Sequence, residues 1–443
     1  MQSLQRTEYH LDERKSYGKL FPELKPLIVS DSHLKDLTEL MIDYQWQCKD
    51  SKVVSIGLPM FGQFIAHDMT FEVTSKFRGY NQVETFVNDR TIRLDIDSMY
   101  GQWNQDFLYD ANARDKLLLG KKYEKNGAVW YDLQRNLQDK ALIPDARNDE
   151  NILVSQIHML FQRFHNRMVD YVSRYCPYNE IFQEARRLTV WYYQWLILHE
   201  YLYKITDWTV FEDILLQGPK YFDCPDFFPL EFTGAVFRVG HSQVREKIRL
   251  NRETEKDLFT LGSFRKMEDY VDWHYIFDFE DGLVQYARLL DTKISKIFHD
   301  IPFIKSGNKY ERSLPFRNMK RGVVYGLASG EDIARRICVE PLDIDETRHI
   351  GGTPLWYYVL REAETLGHGG EHLGPVGSRI MLECILAILN HDKHSFQVLH
   401  PKWRPEIGRH EGKFDFVDLI NYVKEENQSH ETNKQKTPKP ASY

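Results

Sequence analysis

The sequence predicts a mainly α-helical protein, built as a single large helical domain with very little β structure. Three observations carry this expectation. Apolar residues recur at helical spacing over long stretches that few Gly or Pro residues interrupt. Convincing alternating runs are few. No internal repeat or linker-like segment divides the 443 residues before the polar end. Length alone would suggest about three domains, although large single domains also occur. In chain order, helical patterns cover about 55–71, 151–175, 178–206, 230–245, 273–298, 329–336, 354–364 and 375–389. Within 151–175 a broad apolar stripe runs through Ile152, Leu153, Ile157, Leu160, Phe161, Phe164, Met168 and Val169. The folded unit is expected over residues 1–425. The remaining ENQSHETNKQKTPKPASY, 426–443, is expected to be a disordered tail, because it has too little apolar surface to offset ordering entropy.

Composition excludes several classes. With 42% hydrophobic, 28% charged and 14% aromatic residues, the chain is neither disordered nor fibrous. The balance of 58 Lys+Arg against 65 Asp+Glu, net −7, is too acidic for a phosphate-backbone binder, so nucleic acid is not expected as a partner. Five cysteines, Cys48, Cys176, Cys224, Cys338 and Cys384, are far apart and include no CxxC, which points to reduced thiols rather than a disulfide framework or thiolate zinc site. The N-terminal MQSLQRTEYHLDERKSYGKLF has no apolar core of secretory-signal length, and no run approaches a membrane span. A soluble, cytoplasmic protein is the expectation. GxGxxG and GxxxxGK[ST] are absent, so any chemistry must come from side chains converging between helices.

Among the 17 histidines, His368-Gly-Gly-Glu371-His372 fits the HxxEH zinc-protease pattern. That motif needs one helical face, and the surrounding glycines predict a loop instead. Five other segments are more informative. In GLPMFGQFIAHDMTF, 57–71, Gln63 and His67 share a helix face while Asp68 projects about 100° away. This reads either as a core histidine satisfied by Gln63 or as two sites back to back. In NDRTIRLDIDSMYG, 88–101, Thr91, Arg93, Asp95 and Asp97 alternate, and either form a solvated loop or converge, with carbonyls and Asp68, on a hard cation such as calcium. In the segment beginning IPDARNDEN at 143, Asp145 can cap a helix whose first turn carries Arg147 and Glu150 as a salt bridge. In PLEFTGAVFRVGHSQVR, 229–245, Arg238 and His241 share a helix face, and Gly240 leaves room for a flat group. In LPFRNMKRGV, 314–323, Asn318 and Arg321 lie one turn apart.

Taken together and in this order, the five segments resemble the animal-type haem peroxidases of the peroxidase–cyclooxygenase superfamily, closest to compact bacterial members. The resemblance covers a motif core of about 55–395. It implies haem b, with His67 as distal base, Gln63 beside it, Arg147 as distal arginine, and His241 as proximal iron ligand hydrogen-bonded to Asn318. Arg238 and Arg321 fall among the cofactor-binding positions. Asp68, Thr91, Arg93, Asp95 and Asp97 fall on the family's calcium site, with Thr91 and Arg93 contributing partly through carbonyls. It further implies reduction of hydrogen peroxide and oxidation of small donors through a ferryl intermediate. A neutral imidazole can take a proton from one peroxide oxygen and return it to the other, while an arginine stabilises the developing charge.

This chain departs from the mammalian pattern. Ala66 stands where those enzymes carry an esterifying Asp, Glu150 matches the second ester position, and Asn151 follows it in place of a sulfonium-forming Met. At most one haem ester, through Glu150, is therefore expected, with poor chloride oxidation and with phenols, iodide, thiocyanate and bromide as donors. Two alternatives stand beside the peroxidase. One is a fatty-acid dioxygenase, a cyclooxygenase-like oxygenase or a metabolite-tailoring haem oxidase. A cyclooxygenase-like enzyme needs a radical-forming tyrosine three residues before the proximal histidine, and that position is Arg238. The other is a haem- or calcium-binding interaction protein without turnover, which has no chemical need for His67 and Arg147.

Overall fold

Long amphipathic helices, rather than sheets, bury most of the apolar residues of this chain. The computed structural model describes residues 15–42, 49–71, 87–88, 90–101, 106–125, 128–223, 227–264 and 266–424. The expected tail, 426–443, lies outside these residues, as do Cys48 and Cys224. Cys176, Cys338 and Cys384 are free thiols.

The principal helices are α1 (Asp31–Leu40), α2 (Gly57–Met69), α3 (Ile152–Val172), α4 (Ile181–Leu196), α5 (Trp208–Gln217), α6 (Leu314–Val324), α7 (Leu355–Leu366), α8 (Pro375–His391) and α9 (Phe416–Lys424). A π-helical turn, Ile197–Leu202, extends α4. The antiparallel pair α3 and α4 forms the centre. α2 and α9 both pack on α3, and Phe416 of α9 meets Phe61 of α2 edge-on. Where α2 meets α3, Phe61, Phe64 and Phe161 stack nearly parallel while Tyr193 meets all three edge-on. This fully buried aromatic cluster fixes how α2 sits on α3. Strands are short and peripheral. Asp50–Ser55 pairs antiparallel with Tyr286–Arg288, and Lys15–Gly18 lies between Val87–Asn88 and Phe227–Pro229. No helix among the described residues is long and apolar enough to cross a membrane.

Two expected helices are corrected. Residues 273–298 form 3-10 turns at Trp273–Tyr275 and Lys296–His299 around the strand Tyr286–Arg288. Asp278 and Asp281 accept from the backbone N–H groups of Glu280 and Leu283, and the chain turns through positive φ at Glu280 and Gly282, so local side-chain bonds displace the helix. Residues 230–245 break into Leu230–Gly234, a 3-10 turn Val236–Arg238, and Gly240–Gln243. The Arg238 Nε takes the Thr233 carbonyl at 2.8 Å, an acceptor that a continuous helix would have used. Arg238 and His241 are thus neighbours across a break, not along one helix face. The HxxEH segment is a loop, with φ of 52°, 75° and 98° at His368, Gly369 and Gly370.

Candidate haem and metal site

α2 presents Gln63, Ala66 and His67 towards the segment carrying Arg147, Glu150 and Asn151. Most of these residues are only partly covered, in a region where the surrounding side chains are buried. The short helix Gly240–Gln243 meets α2 in turn, so Arg238, Gly240 and His241 are brought to the same region, with α6 behind them supplying Asn318 and Arg321. Gln63, Ala66, Arg147, Gly240 and His241 stay partly exposed among buried neighbours, which marks a cleft between α2 and the opposing segment with one histidine on each.

His67 Nδ1 lies 2.8 Å from Asn148 Oδ1, so it carries the proton and donates it. Asn148 Nδ2 lies 3.0 Å from His158 Nδ1 on α3. Burial, together with the Arg147 charge, pushes His67 down to about 4, and burial pushes His158 down to about 4, which keeps both rings neutral. Gln63 does not satisfy His67. Its Oε1 instead accepts from Asn151 Nδ2 at 3.3 Å.

Arg147 does not pair with Glu150. Its Nε and Nη2 bind Asp145 at 3.0 and 2.7 Å, its Nη2 also donates to the His67 carbonyl at 2.9 Å, and its guanidinium lies over the Phe71 ring. Nη1 makes no hydrogen bond to any described residue. Asp145 caps the 3-10 turn Ala146–Asp149 by accepting from Arg147 N–H, while Asn151 caps α3 itself. Asp145 also receives Arg90 Nη2 at 2.6 Å, and Arg90 Nη1 reaches Asp97 at 3.3 Å. Burial alone would raise the Asp145 carboxyl, but Arg147 and Arg90 hold it at about 2. Because the folded value lies below the unfolded one, this ion pair's stabilisation is complete above about pH 4 and is lost as pH falls towards 2. It amounts to roughly 2 kcal/mol. Asp145→Asn should therefore lower stability at pH 7 and flatten the acid limb of urea midpoints between pH 4 and 2. An unchanged acid limb would remove Asp145 from this role.

Behind His67, the Asp68 carboxylate accepts from Ile96 and Ser98 N–H and from the Tyr193 hydroxyl at 3.1, 3.4 and 3.2 Å. Asp68, Asp95 and Asp97 offer carboxylate oxygens within 4.8 Å of one another. The loop is not solvated, since their exposures are 0%, 8% and 5%. Thr91 Oγ1, Asp95 Oδ1, Asp97 Oδ2 and Ser98 Oγ are buried without a hydrogen-bond partner. Burial and then the neighbouring Asp95 raise Asp68 to about 7 and lift Asp97 well above the carboxylate range. A hard cation would resolve all of these costs at once, and the all-oxygen donor set would suit calcium. Ile96, in the left-handed region at φ 55°, turns the chain so that Asp95 and Asp97 share the site. Arg93 lies in the same loop.

On the opposite side, His241 Nδ1 lies 3.0 Å from Asn318 Nδ2, so the amide as placed donates to the ring, the reverse of the expected direction. Rotating this amide by 180° presents Oδ1 as acceptor to an Nδ1–H at no steric cost. Burial, then the charges of Arg238 and Arg321, push His241 down to about 3, which keeps its ring neutral. A Cβ at Gly240 would meet nothing within 4 Å, and Arg321 Nε is buried without a partner. Both features fit a flat, anionic macrocycle such as haem in this cleft.

Sequence reasoning missed Asn148, His158, Asp145 and Arg90 as parts of this network. Asn148 immediately follows Arg147, but nothing in the spacing ties it to His67, 81 positions earlier. Ser98 was missed because it falls out of the alternating pattern.

A helical fold that brings two histidines to one region, with a cluster of buried carboxylates behind one of them, suits a haem-binding class of protein. Comparison with known proteins identifies which. The animal haem peroxidase family model matches residues 75–328, over half of the chain, and this protein belongs to that family. The match includes the Thr91–Asp97, Arg147, His241 and Asn318 segments and begins after α2. The family implies haem as cofactor. A Drosophila melanogaster protein named Peroxidase is 26% identical over 281 residues, 56% of this chain and 39% of that one. Chorion peroxidase of Aedes aegypti is 30% identical over 188 residues, 38% and 23% of the two chains. This chain thus spans well under half the length of these relatives. The fold is similar to peroxidase A from Dictyostelium discoideum, with TM-score 0.65 and 16% identity over 93% of both chains. It is also similar to the Oryza sativa fatty acid alpha-dioxygenase, with TM-score 0.58 and 14% identity over 90% and 78%.

Proposed function

We propose that this protein is a haem peroxidase that reduces hydrogen peroxide and oxidises small donors, namely phenols, iodide, thiocyanate and bromide. The observation that carries the proposal is the His67 ring, neutral and protonated on Nδ1 by its bond to Asn148, set beside Arg147 in the cleft that His241 and Asn318 enter from the other side. His241 would hold haem, with Arg238 and Arg321 available to its carboxylates, and haem would supply the iron chemistry that activates peroxide. His67 Nε2 would take a proton from one peroxide oxygen and return it to the other. Arg147 Nη1 meets the charge that develops there, with the guanidinium held in place by Asp145 and the His67 carbonyl. Gln63, tethered to Asn151, positions water or halide. Asn318, with its amide rotated, would accept from His241 Nδ1 and thereby set its tautomer and basicity.

The test is direct. The haem-loaded protein is mixed with peroxide, and the Soret band and the oxidation of guaiacol or iodide are followed. An unchanged band without turnover sinks the proposal, and oxygen uptake with a fatty acid would favour the oxygenase instead. Glu150, an exposed residue at the family's second ester position, is the candidate for one ester link. Acid–acetone extraction with mass spectrometry should show haem retained on the wild-type chain and released from Glu150→Gln. Equal release from both removes the link.

Calcium is assigned to Asp68, Thr91, Arg93, Asp95 and Asp97, with the Ser98 hydroxyl added. At free calcium a hundredfold above Kd, binding adds about 2.7 kcal/mol. Chelation should therefore lower Tm by several degrees, and calcium should restore it. An Asp95→Asn, Asp97→Asn double variant should lose that calcium response. A response equal to that of the parent would overturn the ligand set.

A further inference from the structure

We propose that Asn148 and His158 form a positioning relay that fixes His67 as its Nδ1–H tautomer, leaving the Nε2 lone pair for the cleft. The proposal rests on the reading of His67 as the base of a peroxidase. All three side chains are essentially buried, so water cannot stand in for any of them. An amide has one donating and one accepting end. With Nδ2 turned to His158 Nδ1 at 3.0 Å, that nitrogen must accept, and the His158 proton resides on Nε2. Oδ1 is then turned to His67 Nδ1 at 2.8 Å and can only accept. The reversed amide would place the His67 proton on Nε2 and leave the cleft without a base. Phe64 stands perpendicular to the His158 ring, with centroids 6.1 Å apart, and His158 Nε2 is buried without a hydrogen-bond partner among the described residues, so the only polar contact that sets the His158 tautomer is the one to Asn148. His158 therefore acts on a ring it does not touch, through the orientation of one amide.

The experiment uses [15N]histidine-labelled holoprotein in the diamagnetic ferrous carbonmonoxy form. Long-range 1H–15N spectra report which nitrogen of His67 is protonated. The parent should show a single Nδ1–H tautomer. Asn148→Leu and His158→Leu should each convert His67 to a mixture. His158→Gln, whose carbonyl can accept from Asn148, should restore the single form. The bimolecular rate with peroxide should fall about tenfold or more in the leucine variants, as for other outer-shell partners, and recover in His158→Gln. If the leucine variants do not fold, Asn148→Asp should keep Nδ1–H, because it keeps the acceptor. An Nε2–H tautomer in the parent, an unchanged tautomer in His158→Leu, or a mixture in Asn148→Asp would overturn the relay. Parent holoprotein with the stated tautomer but no reaction with peroxide would support the relay and remove the peroxidase reading, so the two failures are distinguishable.

Discussion

Replacing His241 with alanine is expected to abolish haem binding, so that purified His241→Ala has no Soret band while its far-ultraviolet circular dichroism matches the parent. His241 is the proposed iron ligand, its Nδ1 is engaged by Asn318, and burial with two nearby arginines keeps the ring neutral. Without it, a macrocycle in the cleft loses its axial bond and retains only apolar contact and carboxylate pairing. The fold should survive. His241 sits on a four-residue helix whose Ser242 side chain is anchored independently to the Val239 and Leu289 carbonyls. Asn318→Leu should be milder, about 10- to 100-fold weaker in haem affinity, because it removes an orienting partner rather than the ligand. Full haem occupancy in His241→Ala would refute the ligand role.

The second large effect is kinetic. His67→Leu should retain haem and calcium yet react with peroxide about 10²–10⁴ times more slowly, the usual range for removal of a positioned acid–base group. In barrier terms this is roughly 3–5 kcal/mol. Haem retention follows because His67 is not the ligand. Calcium retention follows because Asp68, held by Ile96, Ser98 and Tyr193, does not depend on the neighbouring ring. Stopped-flow mixing with peroxide separates this step from donor oxidation. An unchanged rate in a haem-replete variant would exclude His67 as the base.

Much of the site was legible in the sequence because its parts lie in short contiguous patterns. Gln63, His67 and Asp68 occupy one helix whose periodicity is clear. Their placement on opposite sides, one towards the cleft and one towards the cation loop, follows from 100° per residue. The alternating acids at 95 and 97 likewise announced oxygen ligands. Where local reading failed, a side chain had taken over a backbone bond. Asp278 and Asp281 dissolved the helix expected over 273–298, and Arg238 cut the one expected over 230–245. Apolar spacing carries no record of such competition, since the deciding acceptors are backbone carbonyls and amides. The Arg147–Glu150 pair failed for a related reason. Spacing allowed it, but Asp145 offered a buried carboxylate two residues away and Arg90 joined it from another segment.

By itself, then, the sequence determined the helical class, the order of the five motifs, and the residue types that chemistry at a haem and at a hard cation requires. The tertiary structure alone decided which of those residues share a proton or a charge. Asn148 bridges His67 and His158, and Arg90 joins the cation loop to Asp145 and thence to Arg147. The reason is physical. Helical periodicity is a short-range property that survives in any fold, whereas a buried hydrogen bond exists only when packing brings donor and acceptor within about 3 Å and excludes water. Between residues 81 or 55 positions apart, only the packing of α2 on α3 and the closure of the loop beside it can do that.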